Sequence, residues 1–137
     1  MTIDSSPLTS ESLDLNHDIS VSIKTEYIAS QLIEHEKHYV FSYCISITNN
    51  DSKPVKLLSR YWLITDGDNK TSTVAGEGVI GKQPTIEPEQ TFTYTSGCIL
   101  KTPVGTMEGH YQVVDIDNKL QQVEIPVFGL AKPNILN

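Results

Sequence analysis

Backbone amides presented by glycine-rich runs can bind phosphate, and Gly76-Glu77-Gly78-Val79-Ile80-Gly81 has the GxGxxG spacing associated with that chemistry. In a dinucleotide-binding fold the run lies between a strand and a helix whose N-terminus faces the pyrophosphate. Here the last glycine leads into Lys82-Gln83-Pro84-Thr85-Ile86-Glu87-Pro88. Two prolines so close together exclude a regular helix, because each lacks an amide donor and disfavours helical backbone before it. A second route to an anion site needs no helix. Successive amides in a tight turn form a concave nest, and Gly76, Gly78 and Gly81 would let a phosphate approach it closely. Lys82 closes the run, and Arg60 would add a planar fork if its strand lay alongside. Against this, Glu77 sets a negative charge inside the loop. The competing reading is a strand crossover whose glycines serve turn geometry and packing.

Other reactive side chains form weaker patterns. His35 and His38 would align on a helix but not on one strand face, and His17 and His110 stand alone, so no metal site is expected. Asp66 and Asp68 with Asn69 suggest a calcium loop, yet the rest of the ligand pattern is missing and a hairpin turn explains them. Ser96-Gly97 lacks the flanking glycines of a nucleophile elbow. Cys98 has no local base to lower its pKa, and Cys44 and Cys98 read as buried thiols rather than a disulfide. Glu87 and Glu89 flank Pro88 in a turn. These patterns predict neither catalysis nor a cofactor.

The framework that positions these residues shows in apolar–polar alternation. Ile19, Val21, Ile23 and Tyr27 form one strand face, and Tyr39, Phe41, Tyr43, Ile45 and Ile47 form another before the turn residues Asn49-Asn50-Asp51. Residues 29–37 are either a connection or a strand extension. Strands are expected over 55–65, 70–75, 90–95, 106–115 and 120–128, with a loop through Gly97, Pro103 and Gly105. Residues 1–16 read as a flexible tail, 17–128 as the domain and 129–137 as a second tail. Seven or more short strands punctuated by turns indicate an all-β immunoglobulin or fibronectin type III-like antiparallel sandwich, with a barrel as the competing architecture. Trp62 would be its aromatic anchor.

With 137 residues the chain supports one core, and its 38% hydrophobic and 20% charged content is that of an ordinary globular domain. A formal charge of −7 with Arg60 as the sole arginine disfavours nucleic acid as a partner. The sequence has no apolar run of membrane-spanning length and no basic leader, so a cytoplasmic location is expected. Alternation on the third strand puts Leu58, Arg60, Trp62 and Ile64 on one face, with Arg60 paired to a carboxylate such as Glu108 or available to a ligand.

Four blocks carry a family resemblance. Ser59-Arg60-Tyr61-Trp62-Leu63-Ile64-Thr65-Asp66, the run from Gly76 to Pro84, Tyr94-Thr95-Ser96-Gly97-Cys98 and the run from Thr102 to Gly109 occur in the order seen in the ApaG family. The chain resembles that family from about Val21 to Phe128. The family pattern often has histidine after the arginine, where this chain has Tyr61, so no ring-nitrogen role carries over. The resemblance implies a fibronectin type III-like sandwich. It implies an indirect link to cobalt resistance and magnesium efflux, a gene neighbouring a diadenosine tetraphosphate hydrolase, and relatives appended to eukaryotic F-box and polymerase-interacting proteins. The function expected is therefore a non-catalytic protein-binding module, with Tyr61, Tyr94 and Tyr111 as partner surface. The alternative is a sensor that holds a polyphosphate nucleotide or pyrophosphate on the glycine loop. Exposed edge strands would also allow self-association.

Overall fold

A computed structural model describes residues 14–134. Expectations for 1–13 and 135–137 lie outside the described residues. Among the described residues every regular element is a strand: β1 (Asp14–Leu15), β2 (Ile19–Ile33), β3 (Glu36–Asn49), β4 (Val55–Asp66), β5 (Thr71–Glu77), β6 (Thr85–Ile86), β7 (Thr91–Leu100), β8 (Val104–Asp115) and β9 (Leu120–Ala131). They form two sheets, one ordered β1-β9-β8-β4-β5 with β6 also pairing β4, the other β2-β3-β7. All pairings are antiparallel except β1 with β9, which is parallel.

The alternating residues build the interface between the sheets. Phe41, Tyr43, Ile45 and Ile47 of β3 are all buried, as are Tyr94, Cys98 and Leu100 of β7. From the larger sheet they meet Val55, Leu57, Trp62, Met107, Tyr111, Val113, Val123 and Ile125. Trp62 is the aromatic hub, with its ring edge-to-face on Tyr43, Tyr111 and Phe128 at centroid distances of 5.5, 6.4 and 5.8 Å. Such contacts add to the area that the rings bury. Asn49 is fully buried at the end of β3, where its side-chain amide donates to the carbonyls of Lys53 and Ile86 at 2.8 and 2.9 Å. Its Oδ1 accepts the amide of Asp51 at 2.9 Å, so the turn is fixed from inside.

Several boundaries differ from the sequence reading. The stretch 29–37 is strand on both sides of a tight turn at Glu34 and His35, both at positive φ. Gly97 and Gly105 lie within β7 and β8 rather than in a loop. Strand β9 runs through the supposed tail to Ala131, and the amide of Lys132 donates to Pro103 at 2.9 Å. At the other end Asn16 is buried, its amide bonded to the Gln122 carbonyl at 2.9 Å, so 14–16 belong to the domain. In β4 a bulge between Leu57 and Ser59 inserts one residue. Leu57, fully buried, therefore shares the inner face with Arg60, Trp62 and Ile64, which simple alternation does not allow.

The two sheets are unequal in width. On one side β2 approaches β9. On the other, β5 extends past the smaller sheet, whose edge there is β7. Val74 pairs with Trp62 and so faces inward, yet it remains 42% exposed. That side of the sandwich is open.

Candidate functional site

The glycine run folds as the end of β5 and a tight turn. Val79 and Lys82 exchange amide–carbonyl bonds at 2.8 and 2.9 Å across Ile80 and Gly81, whose φ values of 43° and 77° are both positive. Two positive φ values in a two-residue turn are the pattern of a type I′ hairpin. Gly78 has φ 66°, and a Cβ there would lie 2.2 Å from the Lys82 carbonyl oxygen. Gly76 packs against Arg60, where a Cβ would lie 3.0 Å from the guanidinium Nη1 and crowd it. The spacing of the glycines thus follows from a turn and a packing contact.

The donors needed for an anion nest are largely engaged. Gly78 donates to the Leu58 carbonyl at 2.7 Å, in addition to the Val79 and Lys82 bonds. Arg60 does not join the loop's outer surface. Its Nη1 donates to the carbonyls of Glu77 and Gly78 at 3.2 and 2.9 Å, and the side chain is half-buried. Lys82 instead borders a surface depression with Glu77, Gly81 and Gln83. The sequence-predicted set Gly76, Gly78, Gly81, Lys82 and Arg60 is therefore divided between two places.

Arg60 belongs to the open side of the sandwich. It pairs in register with Tyr111, which is fully buried, and so points between the sheets. The expected partner Glu108 lies opposite Leu63 on the outer face and makes no pair with it. The ion pairs among the described residues are Lys53–Asp117 at 3.3 Å and Lys119–Asp14 at 2.9 Å, both on the surface. In front of Arg60 is a cavity of about 370 Å³, bounded by Tyr43, Trp62, Val74, Ser96, Cys98 and Met107 among others. Tyr43 and Ser96 are cross-strand partners on β3 and β7, and both line this cavity. A second cavity of about 330 Å³ adjoins it through Ile64 and Ile99 and is flanked by Asp66, Lys70 and Lys101.

Burial governs the ionisable groups here. It pushes the Cys98 thiol up to about 11, so that at neutral pH the sulfur is protonated and a poor nucleophile. Desolvation also raises Tyr43, and raises Tyr94 to about 12, with Arg60 opposing the shift slightly in both. Tyr111 is raised as well, first by burial and then by Tyr94.

Two of the three tyrosines expected on a partner surface are in the core. Tyr94 is 4% exposed and Tyr111 fully buried, and their hydroxyls bond to each other. Thr91, Thr93 and Thr95 alternate with Phe92 and Tyr94, a pattern that already assigns the tyrosine inward. Tyr61 alone lies on the outer face, half-buried and stacked on His110 at 5.2 Å. The sequence reading named Tyr43 and Ser96 separately and did not join them as a site, because only strand register brings them together.

The remaining candidates separate. His35 sits in the β2–β3 turn, while His38 Nδ1 contacts the Glu36 carbonyl at 3.1 Å. Asp66 accepts the amides of Asp68 and Lys70 at 2.8 and 3.0 Å, which makes it the cap of a hairpin turn. Among the described residues no three His, Cys, Asp or Glu side chains gather as metal ligands. Cys44 and Cys98 are free thiols.

Comparison with known proteins places this geometry in context. Residues 29–115 match the model of the ApaG domain family. Protein ApaG of Proteus mirabilis is 47% identical over 119 residues, covering 87% of this chain and 95% of that protein. Protein ApaG of Erwinia tasmaniensis is 50% identical over 113 residues, covering 82% and 90%. A crystal structure from Bordetella pertussis described under the name ApaA superposes with a TM-score of 0.80 at 42% identity, covering 89% of this chain and 98% of its own.

Proposed function

Taking as premise that the chain belongs to the ApaG family, we propose that it is a non-catalytic binding module of the cytoplasm whose partner is another protein. The observation that carries this reading is strand β5. It is the edge of the larger sheet, and Thr71 to Ala75 are all exposed. From Thr71 to Gly76 it has neither charge nor proline, the two devices that usually keep an edge from pairing. Its free amides and carbonyls suit an extended segment added as a further strand. The protonated Cys98 thiol fits a role without covalent chemistry. A bearing on cobalt or magnesium tolerance would act through the partner.

A polyphosphate nucleotide on the glycine loop is the weaker reading, since the amides of Gly78, Val79 and Lys82 already have acceptors. Cross-linking in cells followed by mass spectrometry tests the proposal. Cross-links to one protein partner should map to residues 71–76 and disappear in Thr73→Lys/Ala75→Lys, which charges the edge. Cross-links that survive the double substitution, or that map to the opposite edge, would overturn it.

A further inference from the structure

An arginine that points between two sheets needs an explanation. Arg60 faces inward beside Tyr111, and no carboxylate among the described residues forms an ion pair with it. Two backbone carbonyls take bonds from Nη1, which leaves the Nη2 and Nε edges of the fork. Carbonyl oxygens satisfy hydrogen-bond geometry but carry no net charge. The cation is thus bonded but not neutralised, in a protein whose formal charge is −7.

The cavity before it has the make-up of a small-molecule site: mainly apolar walls with a few convergent polar groups. Trp62, Ile64 and Met107 supply the wall from the larger sheet, and Tyr43 and Ser96 supply hydroxyls from the smaller one. None of the residues bounding this cavity is acidic. Gly76 contributes by having no side chain, since a Cβ would crowd the guanidinium at 3.0 Å. Access is through the gap between β5 and β7, where Val74 is exposed despite facing inward.

We propose that this cavity binds a small monoanionic carboxylate with an apolar or aromatic body. The carboxylate lies on Arg60 within reach of the Tyr43–Ser96 hydroxyls, and the body lies against Trp62 and Ile64. A planar carboxylate matches the guanidinium fork in two parallel bonds. One negative charge matches one cation, whereas a phosphate dianion would leave a charge unpaired in an apolar site. This inference is independent of a protein partner at β5.

The test uses the full chain, with benzoate as probe and benzamide and phenyl phosphate as comparison arms. Trp62 is the only tryptophan, so its fluorescence reports binding, and amide chemical shifts report location. Benzoate should perturb Tyr43, Trp62, Ser96 and Cys98 at millimolar concentration, with benzamide and phenyl phosphate binding more weakly. Arg60→Gln should weaken benzoate by ~tenfold or more, the worth of a charge-assisted bond. Because Arg60 also holds the Gly78 carbonyl, Val74→Trp serves as a second variant that narrows the entrance without touching the cation. It should weaken benzoate while leaving the chain folded. Benzamide binding as well as benzoate would overturn the proposal, as would tighter binding of phenyl phosphate. Shifts confined to Glu77–Gln83, or no shift in any arm, would overturn it too.

Discussion

The hydroxyls of Tyr94 and Tyr111 meet at 2.5 Å in the middle of the sandwich, one from each sheet. One hydroxyl donates and the other accepts, and both residues are buried. Tyr94→Phe or Tyr111→Phe should each cost about 1–3 kcal/mol, because the surviving hydroxyl is left buried and unpaired. The double variant removes both groups and should be more stable than the sum of the single losses implies. Urea unfolding of the four proteins in a double-mutant cycle measures the coupling. Strict additivity would mean that the bond contributes nothing.

Alkaline pH should destabilise the fold in two stages. Burial holds the Cys98 thiol near 11 against 9.0, and the Tyr94 phenol near 12 against 10.0. Below pH 9 both groups are protonated whether folded or not, and stability does not depend on them. Above it the unfolded chain releases protons that the folded chain retains, so stability falls as pH rises and is lost fully above the folded values. At 1.36 kcal/mol per unit, each group removes roughly 3 kcal/mol. The urea midpoint should decline from pH 9 to 11, and Cys98→Ala should flatten the first stage. A flat wild-type profile over that range would place the thiol in water.

Ile80 is a branched residue at φ 43°, in a turn that favours asparagine and glycine. Ile80→Asn should raise stability by about 1 kcal/mol, and it removes an exposed apolar side chain besides. Gly78→Ala should do the opposite. With its Cβ 2.2 Å from the Lys82 carbonyl, the turn has to rearrange at a cost of at least ~2 kcal/mol. Thermal unfolding of the two variants should therefore move in opposite directions from wild type.

Asn49 anchors three backbone groups from a fully buried position. Asn49→Leu has nearly the same volume but strands the Lys53 and Ile86 carbonyls, at a cost of about 3 kcal/mol. Hydrogen exchange should show the loss spreading into β6. Protection unchanged at Ile86 would show that water replaces the side chain freely.

The strands were legible wherever one face is wet and the other dry. From Phe41 to Ile47 the alternation and the burial agree at every position. The bulge in β4 was not legible, since an extra residue shifts the phase without changing composition, and Leu57 changed face as a result. Glycine spacing was visible, but its cause required the carbonyl of Lys82 and the guanidinium of Arg60 to be in place. The cavity was invisible for a similar reason. Tyr43, Arg60 and Ser96 come from three strands, and only sheet order and register make them neighbours.

The difference in sheet width also has a mechanical side. Where β2 meets β9 the layers are joined along an edge, while between β5 and β7 they are held apart by a cavity. A body fastened on one side and free on the other has a soft direction of motion, like a hinged clamp. Anything gripped at the free side would tie β5 to β7 and brace the layers where strand contacts do not.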